Sequence, residues 1–308
     1  MKLKELIKAI YDEDARFLVK NKLGFCDDMP DDEYLKRKWR HAMGKELDLD
    51  NPKTFNEKLQ WLKLYDRRPE YTIMVDKYLV KDYIANKIGQ GYIIPTLGVW
   101  ERFEDIDFKE LPKQFVLKTT HDSGGVIICK DKFKFNITKA RRIINKSLKR
   151  NYYFEGREWP YKNVHPRIIA EQYLEDSNTG ELPDYKVLCF NGEPKFIEVH
   201  KGRFTGIHTQ DFYDEKWVKT DISQAGMPMS DLIMPKPIFL EEMLDLSKKI
   251  SKGIIHVRVD WYYVYKKLYF GEITFYDGSG YDKFNGNYDE KLGGLITCYQ
   301  SNEMEVVK

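Results

Sequence analysis

The stretch from His256 to Gly280 limits the fold more than any other. Val257 and Val259 alternate with His256, Arg258 and Asp260, and after a short interruption Leu268 and Phe270 alternate with Tyr269 and Gly271. A period of two marks strands, and Lys266-Lys267 between the runs reads as a solvated hairpin turn. Antiparallel pairing across that turn brings Asp260 and Glu272 together at one end. Arg258 and Thr274 then share their faces, because side chains on a strand repeat every two residues. Two carboxylates, a guanidinium and a hydroxyl on one sheet surface suit magnesium and phosphate, since magnesium takes few carboxylates and completes its shell with water and phosphate oxygens. A hairpin with a charged solvent face satisfies the same pattern, so the decision falls to the rest of the chain.

A chain of 308 residues can bury a substantial core and is expected to form two or more lobes. Its 51 basic and 49 acidic residues nearly cancel, which argues against a nucleic-acid partner. The 21 tyrosines fit carbohydrate or nucleotide contacts and equally a tyrosine-rich core. Cys26, Cys129, Cys189 and Cys298 are far apart with no CxxC pair, so reduced cytosolic thiols are expected rather than a disulfide framework or a zinc site. Charge interrupts the N-terminus every few residues, unlike a signal peptide, and no apolar run reaches transmembrane length. A soluble, cytoplasmic protein is expected. Lys2, Lys4 and Lys8 lie among Leu3, Leu6, Ile7 and Ile10 at helical spacing, which allows weak contact with an anionic membrane surface, although a solvated helix face is the simpler account.

The first third reads as helical. Asp31, Asp32 and Glu33 after Pro30 mark a helix start, and Thr54 with Glu57 forms a capping-box pattern before Phe55, Leu59 and Leu62. A further helix is expected from Asp76 and Lys77 at its start to a stop at Gly89, and Tyr92–Trp100 reads as a short strand leading to a loop. From Phe115 to Cys129 two apolar runs flank His121-Asp-Ser-Gly-Gly125, a hairpin loop whose glycines let backbone N–H groups approach an anion. Lys118 precedes that loop, where an ammonium can hold phosphate as a point charge. Neither a Walker A motif nor GxGxxG is present. Arg167–Glu175 reads as a buried strand with a loop at Asp176–Gly180 behind it, and Asn191-Gly192 as a two-residue hairpin turn. A helix is expected near Phe239–Ile250.

The order of these pieces resembles the ATP-grasp superfamily, and within it the TupA-like ATP-grasp family of bacterial polysaccharide gene clusters. The resemblance lies in Asp76–Ile84, Lys118–Gly125, Asp184–Glu193, and Arg258–Tyr262 running on to Gly271–Phe275. It implies an α+β ATP-grasp fold, with nucleotide held between two α+β subdomains and a mainly helical N-terminal region. The expected division is 1–110, 111–166 with the Gly-rich lid loop, and 167–308 with the adenine hinge and magnesium site. Residue by residue, it implies that Lys77 and Lys118 contact ATP phosphates and that Ser123, Gly124 and Gly125 close over them. Glu171, Gln172, Tyr173 and Leu174 would hold the adenine edge, largely by backbone groups, with Glu175 at the ribose. Lys186 would sit in the cleft, Arg258 would bind phosphate or acyl phosphate, and Asp260 and Glu272 would bind magnesium. Thr274 stands where many such enzymes have asparagine, so its part in metal binding is a departure from the pattern.

The activity so implied is ATP-dependent carboxylate–amine ligation through an acyl phosphate. The carboxylate is expected on a uronic acid of a capsular or cell-wall polysaccharide or its precursor, and the amine on an amino acid or small amine. A nucleotide-sugar glycosyltransferase is the alternative, and Asp48-Leu-Asp50 has the spacing of its acidic motif. A non-catalytic nucleotide-binding protein is the third reading. His121 in the Gly-rich loop and His200 beyond Val199 are candidates for substrate contact or plain half-exposed polar residues.

Overall fold

The computed structural model describes residues 10–175, 184–202, 206 and 208–298. Most of the helix expected at the N-terminus and the whole of Asp176–Gly180 lie outside these. Helices α1 (Glu13–Lys22), α2 (Asp31–Met43), α3 (Phe55–Tyr65), α4 (Pro69–Val75) and α5 (Leu79–Ile88) fill the first third. The start of α3 carries the expected capping box, with the Thr54 side chain accepting from Glu57 N and the Glu57 side chain accepting from Thr54 N. Asp76 accepts from the backbone of Tyr78 and Leu79, so α5 begins three residues after it and Lys77 lies just outside the helix.

Strands β1 (Thr96–Trp100), β2 (Phe115–Thr119), β3 (Val126–Cys129) and β4 (Ile168–Gln172) form one antiparallel sheet in the order β1-β4-β2-β3. Between β3 and β4 come α6 (Ile137–Leu148) and the short α7 (Tyr153–Gly156). Ala140 and Ile144 of α6 pack with Phe115, Leu117, Ile168 and Ala170 in a separate small core on one face of this sheet. The sheet takes β1 from the expected first segment, β2 and β3 from the second and β4 from the third. Divisions at 110 and 166 therefore cut through it: pairing between strands distant in sequence leaves no local mark.

Strands β5 (Asp184–Phe190), β6 (Glu193–Lys201), β7 (Thr209–Asp214), β8 (His256–Val264) and β9 (Lys267–Thr274) form a second antiparallel sheet in the order β7-β6-β5-β8-β9. Helix α8 (Leu240–Ser251) lies under it, docked by Trp261, whose indole N–H donates to Ser247 Oγ at 2.8 Å. Helix α9 (Tyr288–Gly293) packs beside α3. The large core joins the N-terminal helices, this sheet and α8. No helix of the described residues is long and apolar enough to cross a membrane.

The hairpin turns by Tyr265-Lys266, both at positive φ (54° and 59°), and Lys267 already pairs with Val264. The turn is thus one residue earlier than the lysine pair suggested. A bulge between Asp260 and Trp261 then shifts the register, so that Asp260 faces Glu272 and Arg258 faces Thr274. An unbroken ladder from the turn would have set Asp260 against Gly271.

Candidate active site

One face of the five-stranded sheet carries a row of charged side chains. Glu198 on β6, Lys186 on β5, Asp260 on β8 and Glu272 on β9 stand opposite one another across four neighbouring strands. Arg258 Nε donates to Asp260 Oδ1 at 2.7 Å and its Nη2 to Oδ2 at 2.8 Å, a bidentate fork. Lys186 Nζ donates to the same Oδ2 at 2.5 Å and pairs with Asp184 at 3.0 Å. Arg258 also binds Asp277, and its Nη2 donates to Thr274 Oγ1 at 3.2 Å. Burial alone would raise the Asp260 pKa, but Arg258 and Lys186 outweigh it and hold the carboxyl at about 2. Glu272 is different. Its side chain is 45% exposed and touches Arg258 only loosely, at 3.6 Å.

Across the cleft, one carboxylate holds two lysines. Glu171 on β4 accepts from Lys81 and Lys118, each at 2.5 Å, and Lys81 also donates to Ile94 O at 2.7 Å. Burial opposes ionisation of Glu171, yet the two ammonium groups pull its pKa down to about 2. Lys77 has no carboxylate partner among the described residues and donates to the Asp122 carbonyl. Burial lowers the pKa of Lys77, with Glu272 the largest opposing influence. Asp122 organises the Gly-rich loop. It accepts from Thr119 Oγ1 at 2.6 Å, from Gly125 N at 3.1 Å and from Gly124 N at 3.3 Å, and it bonds Ser147. A Cβ on Gly125 would lie 1.9 Å from Thr119 Oγ1, so this position requires glycine. Ser123 and Gly124 stand exposed at the tip.

The two sheets face each other over a narrow, partly open cleft. Lys77, Lys81, Lys118 and Glu171 line one side and Tyr262, Phe270, Gly271 and Glu272 the other. Lys186, Arg258, Asp260 and Thr274 lie further along the second sheet, joined to Glu272 through Arg258. Leu174 is buried with Ile94 and Val264 beside Tyr262 and Tyr269, a small apolar cluster, and Ile94 and Tyr262 of this group reach the cleft. Glu171 has its backbone inside the ladder, opposite Thr96 and Val116, so its contribution here is the side chain. Gln172 N donates to Pro95 O at 3.0 Å. Glu175 lies on the rim, paired with Lys130 at 2.6 Å beside Tyr173.

Sequence reasoning missed Lys81, Ile94, Val264, Glu198 and Asp277. Lys81 had a signal, standing four residues beyond Lys77 at helical spacing. Other candidates acquire structural work. His121 Nε2 contacts the carbonyls of Ser147 (3.1 Å) and Arg150 (3.0 Å), tying the loop to the end of α6. His200 bridges Glu198 at 2.5 Å and His208 at 2.9 Å. Asp48 accepts from Asp50 N (3.0 Å) and Asn51 N (2.8 Å), a side-chain turn that accounts for that acidic triplet.

Two antiparallel sheets closing on a cleft, with a Gly-rich hairpin on one and an Arg-x-Asp strand on the other, define the ATP-grasp class. The chain belongs to the TupA-like ATP-grasp family, whose model matches residues 57–297. No curated protein matches it. Among solved structures it is similar to the D-alanine–D-alanine ligase from Bacillus anthracis complexed with ATP, at 15% identity and a TM-score of 0.41, covering 73% of this chain and 63% of that one. The D-alanine–D-alanine ligase from Helicobacter pylori aligns at 16% identity and a TM-score of 0.38, over 79% of this chain and 69% of that one. The ADP complex of N5-carboxyaminoimidazole ribonucleotide synthetase aligns at 11% identity and a TM-score of 0.42, over 71% and 50%. The chain thus spans just under two thirds of the first of these and half of the last.

Proposed function

We propose that the chain is an ATP-dependent carboxylate–amine ligase. The observation that carries this reading is the cleft that sets Lys77 and Lys118 opposite Glu272. In this reading the two lysines hold ATP phosphates as point charges, the Ser123–Gly125 loop covers them, and the apolar cleft lining at Ile94 and Tyr262, backed by Leu174, takes the base, with Gln172 and Tyr173 along its edge and Glu175 near the ribose. Glu272 offers an open carboxylate for magnesium. Asp260, whose two oxygens already accept three hydrogen bonds, keeps one lone-pair direction for it. Thr274, bonded to Arg258, orients that guanidinium rather than ligating. Bound magnesium would neutralise phosphate charge at this point.

A carboxylate is a poor electrophile, being anionic and without a good leaving group. Attack of its oxygen on the γ-phosphorus breaks the bond to the β-phosphate oxygen and releases ADP. Arg258 and Lys186 sit where cations can stabilise the charge spread over the transferring group. The amine nitrogen then attacks the acyl carbon, phosphate departs, and the nitrogen loses a proton to leave an amide. A closed loop keeps water from the acyl phosphate. The carboxylate substrate in this proposal is a uronic acid of a bacterial surface polysaccharide or its precursor, the amine is an amino acid or small amine, and the reaction takes place on the cytoplasmic side of the inner membrane.

The test is trapping. The protein is incubated with ATP, magnesium, hydroxylamine and a panel of uronic acids, uronic-acid nucleotide sugars and amino acids, with mass spectrometry as readout. Acid-dependent ADP release with a hydroxamate of the same acid is the expected result. Sugar transfer from a nucleotide sugar without ATP consumption would contradict the ligase.

A further inference from the structure

The near-zero net charge conceals one strongly polarised surface. From Ile137 to Arg150 the sequence holds six basic residues and no acidic one. This segment is α6 and its end. Ala140, Ile144 and Ser147 are its buried positions. Lys139, Arg142, Lys146 and Lys149 follow one another at intervals of three, four and three residues, which aligns them along a single helix face. All four are exposed, and none has an ion-pair partner among the described residues. Their neighbours differ, since Arg141 pairs with Glu104 at 3.6 Å and Arg150 with Glu155. Like charges three and four residues apart work against the helix that carries them. The row therefore costs stability, and an anionic partner would offset that cost.

The row also leads somewhere. At its C-terminal end Ser147 binds Asp122, and the carbonyls of Ser147 and Arg150 contact His121, so the line of cations ends at the base of the Gly-rich loop over the cleft. The helical spacing puts about one cation on each 5.4 Å turn. The apolar face of α6, Ala140 and Ile144, is already buried against the four-stranded sheet, whereas a helix that lies in a bilayer surface turns its apolar face into the lipid. A linear polymer with regularly repeated anionic groups meets this geometry better than a membrane does.

We propose that Lys139, Arg142, Lys146 and Lys149 form a docking rail for an acidic polysaccharide, one carboxylate per sugar unit, and guide it towards the cleft. The choice of a uronic-acid polymer rests on the carboxylate substrate proposed above; the rail itself rests on α6. Several weak contacts on one chain add into strong attachment, and such binding weakens steeply with salt. The full chain is titrated with polygalacturonate, with neutral dextran and with phosphatidylglycerol vesicles over a series of salt concentrations, all without ATP. The wild type is expected to bind polygalacturonate and not dextran. The fourfold variant Lys139→Gln, Arg142→Gln, Lys146→Gln, Lys149→Gln is expected to bind tenfold or more weakly while its melting temperature is held or raised and its ATP affinity is kept. A second variant with arginine at the three lysine positions is expected to bind as the wild type does. Unchanged binding by the fourfold variant, no binding of polygalacturonate by the wild type, or tighter binding to vesicles than to the polymer would overturn the rail. Hydroxamate formation from monomeric uronic acids reports on the ligase independently, so failure of one proposal is distinct from failure of the other.

Discussion

The two walls of the cleft are oppositely unbalanced. On the four-stranded side Lys81 and Lys118 share one carboxylate, Glu171, and Lys77 has none among the described residues. On the five-stranded side Arg258 and Lys186 stand among Asp184, Asp260, Asp277 and Glu198, with Glu272 at the rim. One wall has positive charge to spare and the other negative. Burial pushes Lys77 and Lys81 below their ordinary pKa. Surplus of both signs across one gap suits a ligand that carries both, such as a triphosphate with a divalent cation. The difference also separates two kinds of residue. Asp260 is bound into a closed network, whereas Glu272 is nearly free.

That contrast breaks most visibly at Asp260. Asp260→Asn should abolish turnover and also destabilise the fold by ~3–5 kcal/mol, because Arg258 and Lys186 lose the carboxylate that compensates their buried charge. Urea unfolding of the variant measures it, and an unchanged midpoint would show that the network is not closed. Glu272→Gln should lower turnover on the order of 100-fold yet shift stability by less than ~0.5 kcal/mol, as half-exposed sites do. Steady-state rates and thermal melts on one preparation separate the two effects. Lys118→Met should weaken ATP binding roughly tenfold, the effect of about 1.4 kcal/mol, with the fold retained because Glu171 keeps Lys81; calorimetry decides it.

A further effect, small near neutral pH, lies outside the cleft, at His256. Its ring lies 5.0 Å from that of Phe55 and 4.8 Å from that of Phe190, and burial lowers its pKa from 6.5 to about 3. The unfolded chain therefore takes up a proton below pH 6.5 that the native state refuses until about pH 3. Stability should fall as pH drops through that window, by at most ~1.4 kcal/mol per pH unit. Denaturant unfolding at a series of pH values should show a flatter acid limb in His256→Leu.

Local signals made much of this legible. Alternation located β8 and β9, Asn191-Gly192 marked the β5–β6 turn, and Thr54 with Glu57 marked the start of α3. The rest depended on register. A bulge between Leu188 and Cys189 places Glu198 opposite Lys186, where an unbroken hairpin would have placed Ile197. The bulge before Trp261 likewise lines Asp260 up with Glu272. Each bulge moves a whole strand's side chains to the other face, and no residue type announces either. Glu171 was found but given its backbone's role, because a strand sequence does not tell which lysines approach it from α5 and β2. Ile94 and Val264 meet Leu174 from three distant segments, a contact without local periodicity.

The proposed ligase divides its labour between the walls: in this proposal the lysine wall would hold phosphate and Glu272 the metal beside it. Calorimetric titration of wild type, Lys118→Met and Glu272→Gln with ATP, with and without magnesium, tests it directly. The account predicts that Lys118→Met loses affinity in both conditions, whereas Glu272→Gln loses it only when magnesium is present. Equal losses for Glu272→Gln with and without magnesium, or no loss for Lys118→Met, would contradict it.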